Sequence, residues 1–88
     1  MIRSQTVNSF WEMYEAWPDG VKKSARKAYR LWRDNPFYPS LHFKCIDHKE
    51  HIWSIRITLG YRALCLYEDD TVTWFWAGDH DSYVRFFR

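Results

Sequence analysis

Two arginines define the chemistry this sequence could perform. Arg56 and Arg62 flank Thr58-Leu59-Gly60, which reads as the loop of a β-hairpin. Leu59-Gly60 alone makes a poor two-residue turn, because type I′ needs positive φ at both positions and type II′ wants Gly first. A three-residue loop with Gly60 in the left-handed region forms a G1 bulge instead. That register pairs Ile57 with Tyr61 and sets Arg56 directly across from Arg62. Like charges directly opposite on a sheet repel. The pair therefore suggests a bound anion, unless acids such as Asp79 or Asp81 neutralise it. The two-residue turn would instead align Trp53, Ile55, Ile57, Leu64 and Leu66 on one face and separate the arginines. Turn chemistry favours the first register and hydrophobic patterning the second.

Other residue sets compete for a role. Residues 21–33 carry Lys22, Lys23, Arg26, Lys27, Arg30 and Arg33 and no acid, although the formal net charge is only +2. Such a stripe can dock on phosphate or on an acidic protein, or be a solvated helix face. His42, Cys45, His48 and His51 recur every three residues, superficially like a zinc set. That spacing suits a helix, but this stretch begins as a strand, where His42 and Cys45 point to opposite faces, so no metal centre is expected. His80, taken alone, is an ordinary surface histidine. Trp74-Phe75-Trp76 invites base stacking, yet alternation places Trp74 and Trp76 together, and core packing beneath helices is the expectation.

The elements that must position these residues follow from periodicity. Val7, Phe10, Trp11, Tyr14 and Trp17 fall at helical spacing over residues 7–17. Pro18 and Gly20 interrupt, and Asp19 is placed to N-cap a second helix from Val21 to Asp34. Its apolar stripe is Val21, Ala25, Ala28, Tyr29 and Trp32, with the basic residues alongside. Asn35-Pro36 ends it. The period then changes to alternation: strands are expected over Leu41–Ile46, Ile52–Thr58, Tyr61–Tyr67 and Thr71–Ala77, with turns at residues 47–50 and 68–70. Residues 2–6 could add a first strand. Residues 81–88 suggest a short final helix with Tyr83, Phe86 and Phe87 packing inward. The expectation is one α+β domain over residues 1–88, an N-terminal helical hairpin on a small twisted antiparallel sheet with a short C-terminal helix.

With 88 residues, 47% of them hydrophobic and 20% aromatic, the chain can build one small core. Two cysteines are too few for a disulfide framework, which argues for a reducing, cytoplasmic setting. No apolar run approaches the roughly 18 residues of a membrane span, so no membrane partner is expected.

Taken in order, Asn35-Pro36, Ser40-Leu41-His42-Phe43-Lys44, Trp53-Ser54-Ile55-Arg56, Gly60-Tyr61-Arg62 and Gly78-Asp79-His80-Asp81-Ser82-Tyr83 resemble the RelE/ParE superfamily of bacterial toxins. The Gly-Tyr-Arg strand start and the Gly-x-His-x-x-Tyr ending are the most specific pieces. For RelE-like members the resemblance implies a metal-independent endoribonuclease that cuts mRNA, often on the ribosome, needs no cofactor and is neutralised by a cognate antitoxin. It implies catalytic roles for Arg56 and Arg62, for Lys44 on the preceding strand, for His80 after the glycine, and for the aromatic Tyr83. Lys22, Lys23, Arg26, Lys27, Arg30 and Tyr61 are the candidate RNA contacts. Ser54 stands where the best-known members carry a second lysine. For the ParE branch the resemblance implies gyrase inhibition without nuclease activity, and a degenerate antitoxin-binding module is the third reading.

The residues suit the RelE-like chemistry. RNA is cleaved when its 2′-OH attacks the adjacent phosphorus, given a base, a proton for the leaving 5′-oxygen and cations for the charge on phosphorus. Arg56 and Arg62 match the cationic role, because a guanidinium fork binds phosphate bidentately. His80 matches the proton donor. Tyr83 can stack on a base or assist proton transfer. Lys44 or Tyr83 would have to serve as the base.

Overall fold

The computed structural model describes residues 2–86, with the Phe86 side chain excepted. The chain runs β1 (Arg3–Thr6), α1 (Asn8–Glu15), α2 (Asp19–Asp34), a 3-10 turn (Pro39–Leu41), β2 (Lys44–Asp47), β3 (Ile52–Thr58), β4 (Tyr61–Glu68), β5 (Thr71–Asp79) and α3 (His80–Phe86). Strands lie in the order β1-β5-β4-β3-β2. The meander β2 to β5 is antiparallel, as its hairpin spacing requires. Residues 3–6 do form a strand, but it pairs parallel with β5, from Arg3 opposite Thr71 to Thr6 opposite Trp74. The antiparallel meander thus gains one parallel strand at its edge. A helical layer rather than a tight turn separates β1 from the rest of the sheet, so nothing forces the reversal a hairpin imposes.

Both helices lie on one face of the sheet. α2 begins at Asp19, two residues early, with Pro18 at the cap position. Asp19 therefore sits inside the first turn, where a carboxylate is favoured by the helix dipole, and does not cap. Asn35 ends α2 in extended backbone, its Oδ1 accepting the Phe37 N–H at 3.0 Å. The core beneath is aromatic. Trp32, 1% exposed, meets Trp74 edge-on at 5.4 Å and Phe43 at 5.8 Å between ring centroids. Leu41, Ile55, Ala63, Cys65 and Val72 complete it. Burial pushes the Cys65 thiol up to about 12, which makes it an inert packing group.

Two strand expectations need correction. The segment expected as a strand from Leu41 starts only at Lys44, because Leu41 closes the 3-10 turn and His42 takes left-handed backbone, φ 47° and ψ 42°. The two tryptophans also part company. Cys65 pairs with Trp74 and Leu64 with Trp76, which leaves Phe75 as an extra residue. A bulge breaks simple alternation. Trp74 thus enters the core under the helices, whereas Trp76 lies on the opposite face. Its indole covers Gly78, where an added Cβ would come within 2.6 Å of Trp76 Cη2. Of the aromatics expected to pack inward near the C-terminus, Tyr83 is half-buried, while Phe87 and the Phe86 side chain lie outside the described residues.

Candidate active face

The β3–β4 hairpin sets Arg56 directly across from Arg62, the register that turn chemistry favours. The device differs from the expected one. Thr58 pairs with Tyr61 around a two-residue loop, and Ile57 is the extra residue. No described glycine, Gly60 included, has positive φ. Thr58 Oγ1 accepts the Gly60 N–H at 3.2 Å and stabilises the turn instead. Moving the bulge into β3 satisfies both competing patterns. The arginines stay opposite, while Ile55 and Ile57 still pack toward the helices.

The face away from the helices collects the polar candidates. Lys44 pairs with Ser54, so it shares that face with Arg56 two residues on, and it is exposed on the edge strand. Ser54 itself is fully buried and offers nothing to the surface. The Arg62 guanidinium lies 5.2 Å from the Tyr83 ring centroid, a cation–π contact. Its Nε is buried without a hydrogen-bond partner among the described residues. His80 opens α3, is exposed, and lies 6.4 Å from the Tyr83 ring at 28° between planes. The His80 N–H donates to the Gly60 carbonyl at 2.8 Å, which ties α3 to the arginine hairpin.

Neither arginine has an acidic partner among the described residues. Among the described residues the one ion pair is Lys22 with Glu15, on the helical layer. Asp79 caps α3, accepting the Ser82 N–H at 2.8 Å. Hydrogen bonds from the Ser82 backbone and side chain hold its carboxyl below the usual range, with nearby Arg85 and His80 adding to the effect. The ion-pair alternative for Arg62 is therefore not realised. Arg56 instead directs Nη1 to His42 Nε2 at 3.1 Å.

The remaining candidates lie on the other side of the sheet. Lys22 is held by Glu15 at 3.2 Å, and Arg26 donates to the Tyr14 hydroxyl at 3.1 Å. Lys23 and Lys27 are exposed on the same helix, and Arg30 lines a cleft of about 430 Å³ between α1, α2 and the sheet. Tyr61 packs edge-on against Trp17 at 5.1 Å, which puts it with the helices too. The structure thus brings Lys44, Arg56, Arg62, His80 and Tyr83 to one face and keeps Lys22, Lys23, Arg26, Lys27, Arg30 and Tyr61 apart from them. Cys45 Sγ lies 3.5 Å from His48 Nδ1, and no three His, Cys, Asp or Glu side chains among the described residues cluster to hold a metal ion. His42 joins this face through its contact with Arg56, a placement that its spacing with Cys45, His48 and His51 does not indicate. Its signal was local: histidine is among the few side chains enriched in left-handed backbone, and it follows a Pro-initiated turn.

A family model described as the ParE-like toxin domain matches residues 19–85. The chain belongs to this ParE-like toxin family, within the RelE/ParE superfamily. Solved structures agree in fold. A chain of the RelB-RelE antitoxin–toxin complex from Methanococcus jannaschii superposes with a TM-score of 0.76 at 15% identity, covering 96% of this chain and 99% of that one. YafQ from E. coli gives 0.73 at 8% identity, with 94% and 98% covered. The isolated E. coli RelE toxin gives 0.67 at 12%, with both chains fully covered. No curated sequence matches the chain. No helix among the described residues of this ParE-like toxin is long and apolar enough to cross a membrane.

Proposed function

We propose that this ParE-like protein is the toxin of a toxin–antitoxin pair and acts as a metal-independent endoribonuclease on mRNA. The observation that carries the reading is the facing pair Arg56 and Arg62, which has no acidic partner among the described residues. Two guanidinium groups on adjacent strands span a phosphodiester and supply the charge its pentavalent transition state needs. Tyr83 backs one of them and offers a surface for a splayed base. His80, at the outer edge of that aromatic, donates the proton that the leaving 5′-oxygen requires. The 2′-oxygen bonds to phosphorus, the bond to the 5′-oxygen breaks, and the products are a 2′,3′-cyclic phosphate and a 5′-hydroxyl. Lys44 adds a third positive charge to the face.

The partner we propose is an antitoxin. The apolar cleft between α1 and α2, with Arg26 and Arg30 on its rim, suits an apolar segment bearing acids. Matched folds come from such complexes, among them RelB-RelE from Methanococcus jannaschii and YoeB-YefM from Staphylococcus aureus. The basic side of α2 then serves the antitoxin, and the open sheet face serves RNA. The family description favours one second reading, a ParE-type toxin that inhibits gyrase by binding. Induced expression of wild type, Arg62→Ala and His80→Ala, with growth and mRNA 5′ ends followed together, separates the two. New ends that vanish in both variants support cleavage. Arrest without new ends supports the gyrase reading, and no arrest from soluble protein supports a degenerate binding module.

A further inference from the structure

We infer that His42 takes the proton from the attacking 2′-hydroxyl, a role that rests on the nuclease reading and fills its missing base. Three observations lead there. First, His42 Nε2 lies 3.1 Å from Arg56 Nη1. A guanidinium can only donate, so Nε2 is the acceptor in this contact and Nδ1 carries the ring proton. That is the tautomer a base needs, with its lone pair aimed at the arginine that would hold phosphate. Second, the backbone at His42 is left-handed, φ 47° and ψ 42°, directly after the 3-10 turn. Its side chain stays exposed although Leu41 and Phe43 on either side are buried. The turn thus buries its neighbours and presents the imidazole.

Third, the groups form a line. His42 contacts Arg56, Arg56 faces Arg62, Arg62 lies over Tyr83, and Tyr83 lies beside His80. The two histidines therefore occupy opposite ends of the arginine pair. In-line displacement at phosphorus puts the attacking and leaving oxygens on opposite sides, so acid and base must also stand on opposite sides. Tyr83 lies at the His80 end, where it cannot serve as the base. When phosphate draws the Arg56 guanidinium away, Nε2 is released to accept the 2′-OH proton as the O2′–P bond forms. His80 gives its proton to the departing O5′. The cationic groups on this face from the strands are Lys44 of β2, Arg56 of β3 and Arg62 of β4. Asp79, at the start of α3, stands at the far end beside His80.

The test uses the purified full chain and a defined mRNA, presented with and without ribosomes. His42→Asn keeps a side chain tolerated in left-handed backbone and an acceptor for Arg56, but it cannot take a proton. His42→Gly keeps the backbone at ease and leaves room for a small base. Both variants should retain wild-type melting temperature and lose cleavage by roughly 10²–10⁴-fold. Added imidazole should restore part of the rate in His42→Gly and none in His42→Asn. Cleavage by His42→Asn within threefold of wild type overturns the inference while leaving the nuclease reading intact. If wild type itself makes no cuts under either condition, both fall together.

Discussion

The two faces of the sheet follow opposite rules. On the helical side Lys22 pairs with Glu15, and aromatic rings pack around Trp32, Phe43 and Trp74 meeting it edge to face. On the other side two arginines stand opposed without an acidic partner among the described residues, one leaning on Tyr83 and the other on His42. The first arrangement lowers the free energy of the folded chain. The second raises it, since facing like charges repel. On the nuclease reading proposed above, the pair serves the phosphate it would bind, and the two faces should respond differently to substitution.

The largest separation is expected from Trp32→Ala. It removes the largest of the fully buried side chains and should cost about 3–5 kcal/mol of stability, measured by urea unfolding. Arg62→Ala should do the reverse. Cleavage should fall by roughly 10²–10³-fold while the unfolding midpoint holds or rises slightly, as repulsion with Arg56 is relieved. A large loss of stability would show that the pair is structural after all. Gly78→Ala is intermediate and joins the two effects. Its Cβ would collide with the Trp76 indole, so a loss of about 1–3 kcal/mol is expected, with reduced cleavage because Gly78 pairs with Arg62.

The smallest effect is a pH effect at the start of α3. The Asp79 carboxyl is depressed by its Ser82 hydrogen bonds. A depressed group contributes stability that is present above its unfolded value, about 3.9, and is lost as pH falls through the lower folded one. Amide exchange at Ser82 should therefore quicken only in strong acid in wild type, and already at neutral pH in Asp79→Ala. Equal protection in the two at neutral pH would deny Asp79 the capping role.

Much of this was legible in the chain, and the failures have one physical form. The helices, the meander and the Arg56–Arg62 pairing followed from period, turn residues and the spacing around Gly60. The errors came where the backbone leaves its regular path. At Ile57 and Phe75 a bulge inserts one residue, and single-residue insertions are invisible to alternation. Alternation therefore asks for a left-handed Gly60 that the chain does not need and puts Trp76 on the same face as Trp74. At His42 the alternating pattern runs on as if in a strand, but the backbone is left-handed, and only that conformation brings the imidazole to Arg56. Residue type alone does not say on which side of the sheet Tyr61 and the basic residues of α2 stand; tertiary packing decides that, setting Tyr61 against Trp17 and Lys22 beside Glu15.

The most direct test of the two-faced account is to map mRNA 5′ ends in cells expressing wild type, Arg62→Ala, or the double variant Lys23→Ala with Lys27→Ala. The account predicts new ends in wild type and in the lysine variant, and none from Arg62→Ala. Ends that persist without Arg62 but vanish without the α2 lysines would contradict it and move the RNA to the helical face.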